Sequence, residues 1–402
     1  MRVLLVSQNF YPENFKSNDI AFELKRRGYD VDVLTGIPNY PEGRYPKGYG
    51  ILHKRKEIID GVRVYRAFQI PRGKNVFLLF LEYLSFWFCG NIWAFCLAAT
   101  KRYDCVFVHQ PSPITQAFPG IWVSRLQNIP LYLWVLDVWP ESATSFFKSP
   151  PKLLSGILER LTRRVYKESQ MILISSEGFA PMVNRLGDFS DKIEYFPNWS
   201  PDFRGLEERA TGIVIPSGFV VMMAGNLGIG QDIPTVLKAI KELKNQKDIV
   251  WVFVGGGTMK GEIDKFIETE GLDGHVITTG RMPADKMPAI YSRANVMLIT
   301  LRSSYEHLAA VVPARFMSYL SVGKPILGMI DGGTAELIKK YNCGGVVPAG
   351  DYQGLSTLIE RFSGLTPEQL NEMGDNARDA FEKYYTLPIC IDHLEDILKK
   401  VR

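Results

Sequence analysis

The stretch Phe219-Val220-Val221-Met222-Met223-Ala224-Gly225-Asn226-Leu227-Gly228-Ile229-Gly230-Gln231-Asp232-Ile233-Pro234 runs from an apolar strand through a glycine turn into a helix. A strand with no polar alternation is buried on both faces, the mark of a parallel sheet covered by crossover helices. The same unit recurs on both sides. Upstream, strands are predicted at Val3–Val6, Val31–Leu34, Val62–Tyr65, Val106–His109, Leu131–Leu136 and Met171–Ile174, with helices at Asn18–Arg27, Ile114–Leu126 and Lys152–Lys167. Downstream, strands are predicted at Ile249–Val254, Val276–Thr279, Val296–Ile299 and Pro325–Met329. The helices between and after them lie near Pro234–Leu243, Met259–Glu270, Asp285–Ser292, Pro313–Val322 and Thr334–Lys340.

Two such series predict an α/β protein of two doubly wound, Rossmann-like domains. Phe196-Pro197-Asn198-Trp199-Ser200-Pro201 interrupts the periodicity and marks the boundary. The expected division is 1–198, 199–386 and a closing helix 387–402 that packs back on the first domain. Open α/β sheets bind ligands outside the carboxyl ends of their strands, so the cleft between two facing sheets is the expected site.

Two segments depart from the rhythm. Gly36 to Asp60 reads as one long loop, rich in Pro, Gly and Tyr and basic at His53-Lys54-Arg55-Lys56; loops of that length are usually functional. Val76 to Ala99 is apolar except for Glu82 and is flanked by Arg72, Lys74, Lys101 and Arg102. Its length suits a membrane span, but Glu82, Asn91 and Gly90 interrupt it and a span would cut the α/β series in two. A buried or membrane-apposed helix is the expectation.

The composition excludes several classes. Of 402 residues, 46% are apolar and 22% charged, ordinary for a globular protein. Lys+Arg 47 against Asp+Glu 43 gives +4, too small an excess for a nucleic-acid binder. Cys89, Cys96, Cys105, Cys343 and Cys390 form no CxxC pair, and an odd number argues against a disulfide framework. A reduced cytoplasmic setting is expected, the more so as Met1–Ser7 reads as a strand and not a signal peptide. The histidines (His53, His109, His275, His307, His393) have no metal-ligand spacing. Asp30-Val31-Asp32 has the form of a metal–nucleotide motif but reads as a solvated strand entry.

Four places carry candidate chemistry. In Val312-Pro313-Ala314-Arg315-Phe316, Pro313 suits the first helical position, with Gly323 past the end and Pro325 beyond. Arg315 then lies in the first turn, where the helix dipole disfavours a cation by about 0.3–1 kcal/mol. A bound anion reverses that sign; a partner such as Glu306 or Glu336 also would, and the residues leave both open. Gly225, Asn226, Gly228 and Gln231 form a turn that lets backbone N–H groups approach phosphate, as does Gly255-Gly256-Gly257, although neither is a P-loop or GxGxxG. Asp137 ends a strand and suits a base or a substrate-orienting group, or equally a helix N-cap. His109 ends the neighbouring strand.

These residues resemble glycosyltransferase family 4, whose members have the GT-B fold. Most specific are Tyr11-Pro12-Glu13-Asn14, Leu24–Val31, Gly36-Ile37-Pro38-Asn39-Tyr40-Pro41, Asp137-Val138-Trp139-Pro140-Glu141-Ser142, Pro197-Asn198, Gly225–Gly228 and Pro313–Pro325. The combination resembles the branch that adds amino sugars to undecaprenyl-diphosphate-linked intermediates of O-antigen and capsule. The resemblance implies retaining transfer from a nucleoside-diphosphate sugar, with UDP expected, and without a metal or other cofactor. The donor is expected in the second domain, and the lipid-linked saccharide in the first, at the cytoplasmic face of the inner membrane. Gly225–Gly228 then lies beside the diphosphate, Gly256 in the donor loops, Gly280 and Arg281 at the base, and Asp137 at the catalytic or sugar-orienting position.

The sequence departs from the family where Ala310 and Ser318 stand in place of Glu-x7-Glu, Asn226 and Gln231 in place of Arg and Lys, and Leu136 in place of a frequent His. Arg315, with the N–H groups of the helix that follows Pro313, then becomes the expected source of positive charge. A nucleotide-sugar 2-epimerase on a similar fold and a two-lobed binding protein are the competing readings.

Overall fold

The computed structural model describes residues 1–73, 75–144, 151–204, 211–302 and 306–400, with the side chains of all but Glu306 and His307. It falls into two compact units, Met1–Phe196 with the chain from Ile391, and Pro197–Cys390.

The first unit runs β1 (Arg2–Val6), α1 (Lys16–Arg26), β2 (Asp30–Gly36), β3 (Lys56–Ile59), β4 (Val62–Ala67), α2 (Val76–Thr100), β5 (Cys105–Gln110), α3 (Phe118–Gln127), β6 (Leu131–Val135), α4 (Glu141–Thr144), α5 (Lys152–Glu168), β7 (Met171–Ile174), α6 (Phe179–Asn184) and β8 (Ile193–Tyr195). Its strand order is β3-β4-β2-β1-β5-β6-β7-β8. Every pairing is parallel except β3 with β4. The chain reverses direction across the sheet between β1 and β5, which is where an open α/β sheet leaves a crevice.

The second unit runs β9 (Phe219–Ala224), α7 (Ile233–Glu242), β10 (Ile249–Val254), α8 (Lys260–Glu270), β11 (Val276–Gly280), α9 (Met287–Tyr291), β12 (Val296–Thr300), α10 (Glu306–Ala309), α11 (Ala314–Val322), β13 (Ile326–Met329), α12 (Gly333–Lys340), β14 (Gly344–Val347), α13 (Tyr352–Ser363) and α14 (Pro367–Tyr384). The order β11-β10-β9-β12-β13-β14 puts its reversal between β9 and β12. The apolar strands are buried on both faces between two clusters, one around Met222, Val252 and Phe316 and the other around Val221, Phe253 and Leu355.

Helix α15 (Leu387–Lys400) follows. From Ile391 it belongs to the first unit, where Arg27 Nη1 lies 2.5 Å from Asp392 and 2.9 Å from Glu395.

Two expectations are corrected. The segment 36–60 is not all loop, because Lys56–Ile59 pairs antiparallel with β4. Its side chains alternate between exposed and half-buried, an edge-strand pattern masked in the sequence by the basic run. The pair Asp30–Asp32 is not a solvated entry: Asp32 is fully buried, with Arg63 Nε at 2.6 Å, Arg2 Nη2 at 2.9 Å and the Tyr103 hydroxyl at 2.8 Å.

Helix α2 is long and apolar enough to cross a membrane by length and composition. One stripe (Glu82, Phe86, Gly90, Ala94, Leu97) is buried, with Gly90 tight against Pro119 of α3. The opposite stripe is open, with Phe77 67% and Phe88 63% exposed.

Candidate functional site

In the second unit, three loops stack at the carboxyl edge beside the reversal point. Gly225 follows β9 with φ +125°; its N–H bonds Val254 O at 2.8 Å, and Leu227 N–H bonds Gly256 O at 2.9 Å. Gly255 N–H bonds Gly280 O at 2.9 Å. A Cβ on Gly255 would lie 1.9 Å from Gly225 O, so glycine is the residue that lets these backbones meet. The Arg281 side chain lies against Gly256, its Nε 3.4 Å from where a Cβ would be, and is exposed.

Helix α11 reaches the same place. Pro313, expected at the first helical position, is instead its N-cap, so Ala314 opens the helix and Arg315 stays in the first turn. The guanidinium packs on Gly225, with Cζ 3.3 Å from the position of an added Cβ. Nη2 donates to Asn226 O at 3.0 Å. Nη1 is buried and donates to nothing among the described residues. Glu336, offered as a partner, makes no ion pair with it among the described residues, and the Glu306 side chain lies outside them, as does Lys74.

The Tyr319 hydroxyl, one turn on, accepts from Ala224 N–H at 2.8 Å and donates to Ala224 O at 3.0 Å, pinning the end of β9. Sequence reasoning passed over Tyr319, because a helical tyrosine among apolar residues carries no motif. Gln231 Oε1 is buried without a donor among the described residues, while Thr300 Oγ1 donates to the Gln231 carbonyl. Gly228 bonds back from Gln231 N–H at 3.1 Å. Ser318, at the place of a family glutamate, accepts from Ser200 Oγ at 3.1 Å.

The edge therefore holds exposed backbone at Gly225 and Asn226, two guanidinium groups and the free N–H groups of a helix start. All are donors. Such a set binds a polyanion, and a buried donor without an acceptor is costly until one arrives.

In the first unit, Asp137 follows β6. Its carboxylate accepts from Ser142 Oγ and no backbone N–H donates to it among the described residues, so the N-cap reading is not realised. Burial pushes its pKa up to about 6, with Ser142 and Ser112 pulling the other way. His109, at the end of β5, is 1% exposed, with Nδ1 3.0 Å from Ser7 Oγ and the ring 5.5 Å from that of Trp134. Burial, with Lys16 adding to it, lowers its pKa to about 3. It is thus a neutral imidazole bridging the ends of β1 and β5, under the edge and not on it.

A second polar group at this edge was missed. Glu13 is 7% exposed and accepts from the N–H groups of Asn39 at 2.5 Å and Tyr40 at 2.6 Å; Glu82 of α2 is 1% exposed. The signal was present in the sequence, as a single charge inside an apolar helix. No group of three or more His, Cys, Asp or Glu among the described residues is placed to hold a metal.

Residues 17–199 match the family described as glycosyl transferase 4-like domain, and residues 210–380 the family described as glycosyl transferases group 1. The chain is 20% identical to the putative colanic acid biosynthesis glycosyl transferase WcaI of Escherichia coli K12, over 94% of this chain and 92% of that one. It is 23% identical to the probable glycosyltransferase WbjE of Pseudomonas aeruginosa over 65% of this chain, and spans 66% of that protein's length. Its fold matches Anabaena Alr3699/HepE, solved in complex with UDP, at a TM-score of 0.68 and 15% identity over the whole of both chains.

Proposed function

We propose that this chain, which belongs to glycosyltransferase family 4 and has the GT-B fold, transfers a sugar with retention from a UDP-sugar to an undecaprenyl-diphosphate-linked saccharide in surface polysaccharide assembly. The observation that carries the donor half is Arg315: a buried guanidinium nitrogen with no acceptor among the described residues, on a glycine loop, at a helix start. Breaking the sugar–phosphate bond builds negative charge on the diphosphate, and donors fixed there beforehand lower the barrier. No metal is needed where fixed cations neutralise that charge. The neighbour solved with UDP supports the choice of nucleotide, and the relative named for colanic acid biosynthesis supports the polymer. The N-acetylated amino sugar follows from the branch that the motifs resemble.

The lipid-linked acceptor is supported by the first unit's surface. The exposed stripe of α2 is apolar, and Leu153 and Ile157 of α5 are also open, at 77% and 45%. Lys152, Arg160, Arg163, Arg164 and Lys167 of α5 are exposed, and none makes an ion pair among the described residues. Each well-placed cation adds about 1 kcal/mol of attraction to an anionic leaflet. The reading places the enzyme on the cytoplasmic face of the inner membrane. Co-sedimentation with phosphatidylglycerol vesicles is expected at low salt and should weaken as ionic strength rises; no binding at any salt ends the peripheral-membrane reading.

A thermal-shift panel tests the donor. UDP and UDP-N-acetylhexosamines are expected to raise Tm, since a ligand at about 100 times its Kd stabilises the folded state by about 2.7 kcal/mol. No shift with any UDP-sugar, together with no turnover on a lipid-linked acceptor, overturns the proposal.

A further inference from the structure

Glu82 is the only charged residue on α2. Its Oε2 lies 3.6 Å from Arg72 Nη1 and makes no hydrogen bond among the described residues. Burial pushes the pKa up to about 7; Arg72 opposes the shift, Glu13 adds to it, and the side chains of Asn39 and Gln8 favour the charged form. A buried carboxyl in this position is a poor way to stabilise a helix, since a well-packed apolar residue serves as well or better. What Glu82 does hold is Arg72.

From Arg72 one polar network runs through three separate segments. Arg72 N–H donates to Asn39 Oδ1 at 2.7 Å, and its guanidinium lies 5.6 Å from the ring centre of Tyr40. Asn39 and Tyr40 in turn donate to Glu13, whose carbonyl accepts from Asn18 Nδ2 at 2.6 Å. Ser85 Oγ, one turn along α2 from Glu82, accepts from Ile70 N–H at 2.8 Å. The exits of β1 and β2 and the entry to α2 are thereby fixed together at the carboxyl edge. Burial raises the pKa of the Tyr83 phenol, with Arg72 opposing and the charges of Glu82 and Asp137 adding to it.

We propose that Glu82 is a positioning residue for acceptor binding: through Arg72 and Asn39 it fixes the Glu13–Tyr40 edge, and so ties the acceptor subsite to the seating of α2. The inference rests on the reading of the first unit as the acceptor unit.

Glu82→Gln keeps the volume and removes the charge. Arg72→Met removes the partner at a side chain that is 34% exposed, so folding is spared. In hydrogen–deuterium exchange, the amides of Asn39 and Tyr40 are expected to exchange at least about tenfold faster in both variants, with β5 unchanged. With UDP-N-acetylglucosamine and farnesyl-diphosphate-linked N-acetylglucosamine, acceptor KM should rise about tenfold or more while donor KM and kcat stay within about twofold, and the double variant should be no worse than either single one. Unchanged exchange and KM values in E82Q overturn the proposal. So does a lowered Tm with both KM values rising together, which is the behaviour of a purely structural residue. A wild type that binds UDP but leaves the lipid-linked probe untouched counts against the acceptor reading instead, and exchange at Asn39 and Tyr40 still decides whether Glu82 fixes the edge.

Discussion

Asp137→Asn is expected to lower kcat by about 10²–10⁴-fold, the range for a lost acid–base or charge-stabilising group, while leaving UDP binding as it was. The substitution keeps shape and removes charge. Burial holds the carboxyl up near a pKa of about 6, so activity that needs the carboxylate should fall as pH drops through about 6, not through the ordinary carboxylate range near 4. Gln substitutions at Glu13 and Glu82, whose carboxyls burial also raises to about 6 and about 7, should leave that limb in place. Stability moves the other way. The folded state binds the proton more tightly than the unfolded chain, so the native state loses stability as pH rises from about 4 to 6. At neutral pH, Asp137→Asn should therefore be at least as stable as wild type. A variant with full activity, or one whose Tm falls at pH 7, reduces Asp137 to a structural residue.

How much of this was legible in the sequence follows from which forces are local. Strands such as Phe219–Ala224, Ile249–Val254 and Met171–Ile174 agree residue for residue with the structure, because an unbroken apolar run bounded by glycine or polar residues has one stable use in an α/β fold. The start of α11 is a one-residue difference of the kind proline at a helix boundary permits. The meeting of the glycine loops with the start of α11 was also legible, because glycine and the first turn of a helix carry their chemistry in the backbone. Side chains that act by meeting across the fold were not. Asp32 is buried by Arg2 and Arg63 from other strands, and Glu13 by amides 26 and 27 residues away. The edge strand Lys56–Ile59 was hidden by its charges, which are what keep an edge from pairing further.

Arg315→Ala should reduce kcat by about 10²–10³-fold, equivalent to about 2–4 kcal/mol of transition-state stabilisation. The fold should hardly notice. Among the described residues it donates to Asn226 O, makes no ion pair and leaves Nη1 buried and unpaired, and it sits in the first turn of α11, where a cation is unwelcome. Removing it relieves the dipole penalty of about 0.3–1 kcal/mol and an orphaned donor. Tm without ligand should therefore stay level or rise, and the increase in Tm caused by UDP should shrink. Arg315→Lys separates charge from geometry: it keeps the cation and loses the fork that grips two oxygens at once, so it should recover only part of the rate. A group kept where it weakens the empty protein must act on something the empty protein lacks. Wild-type kcat in Arg315→Ala, or a fall in Tm that accounts for the lost rate, would show that the guanidinium only braces the Gly225 loop.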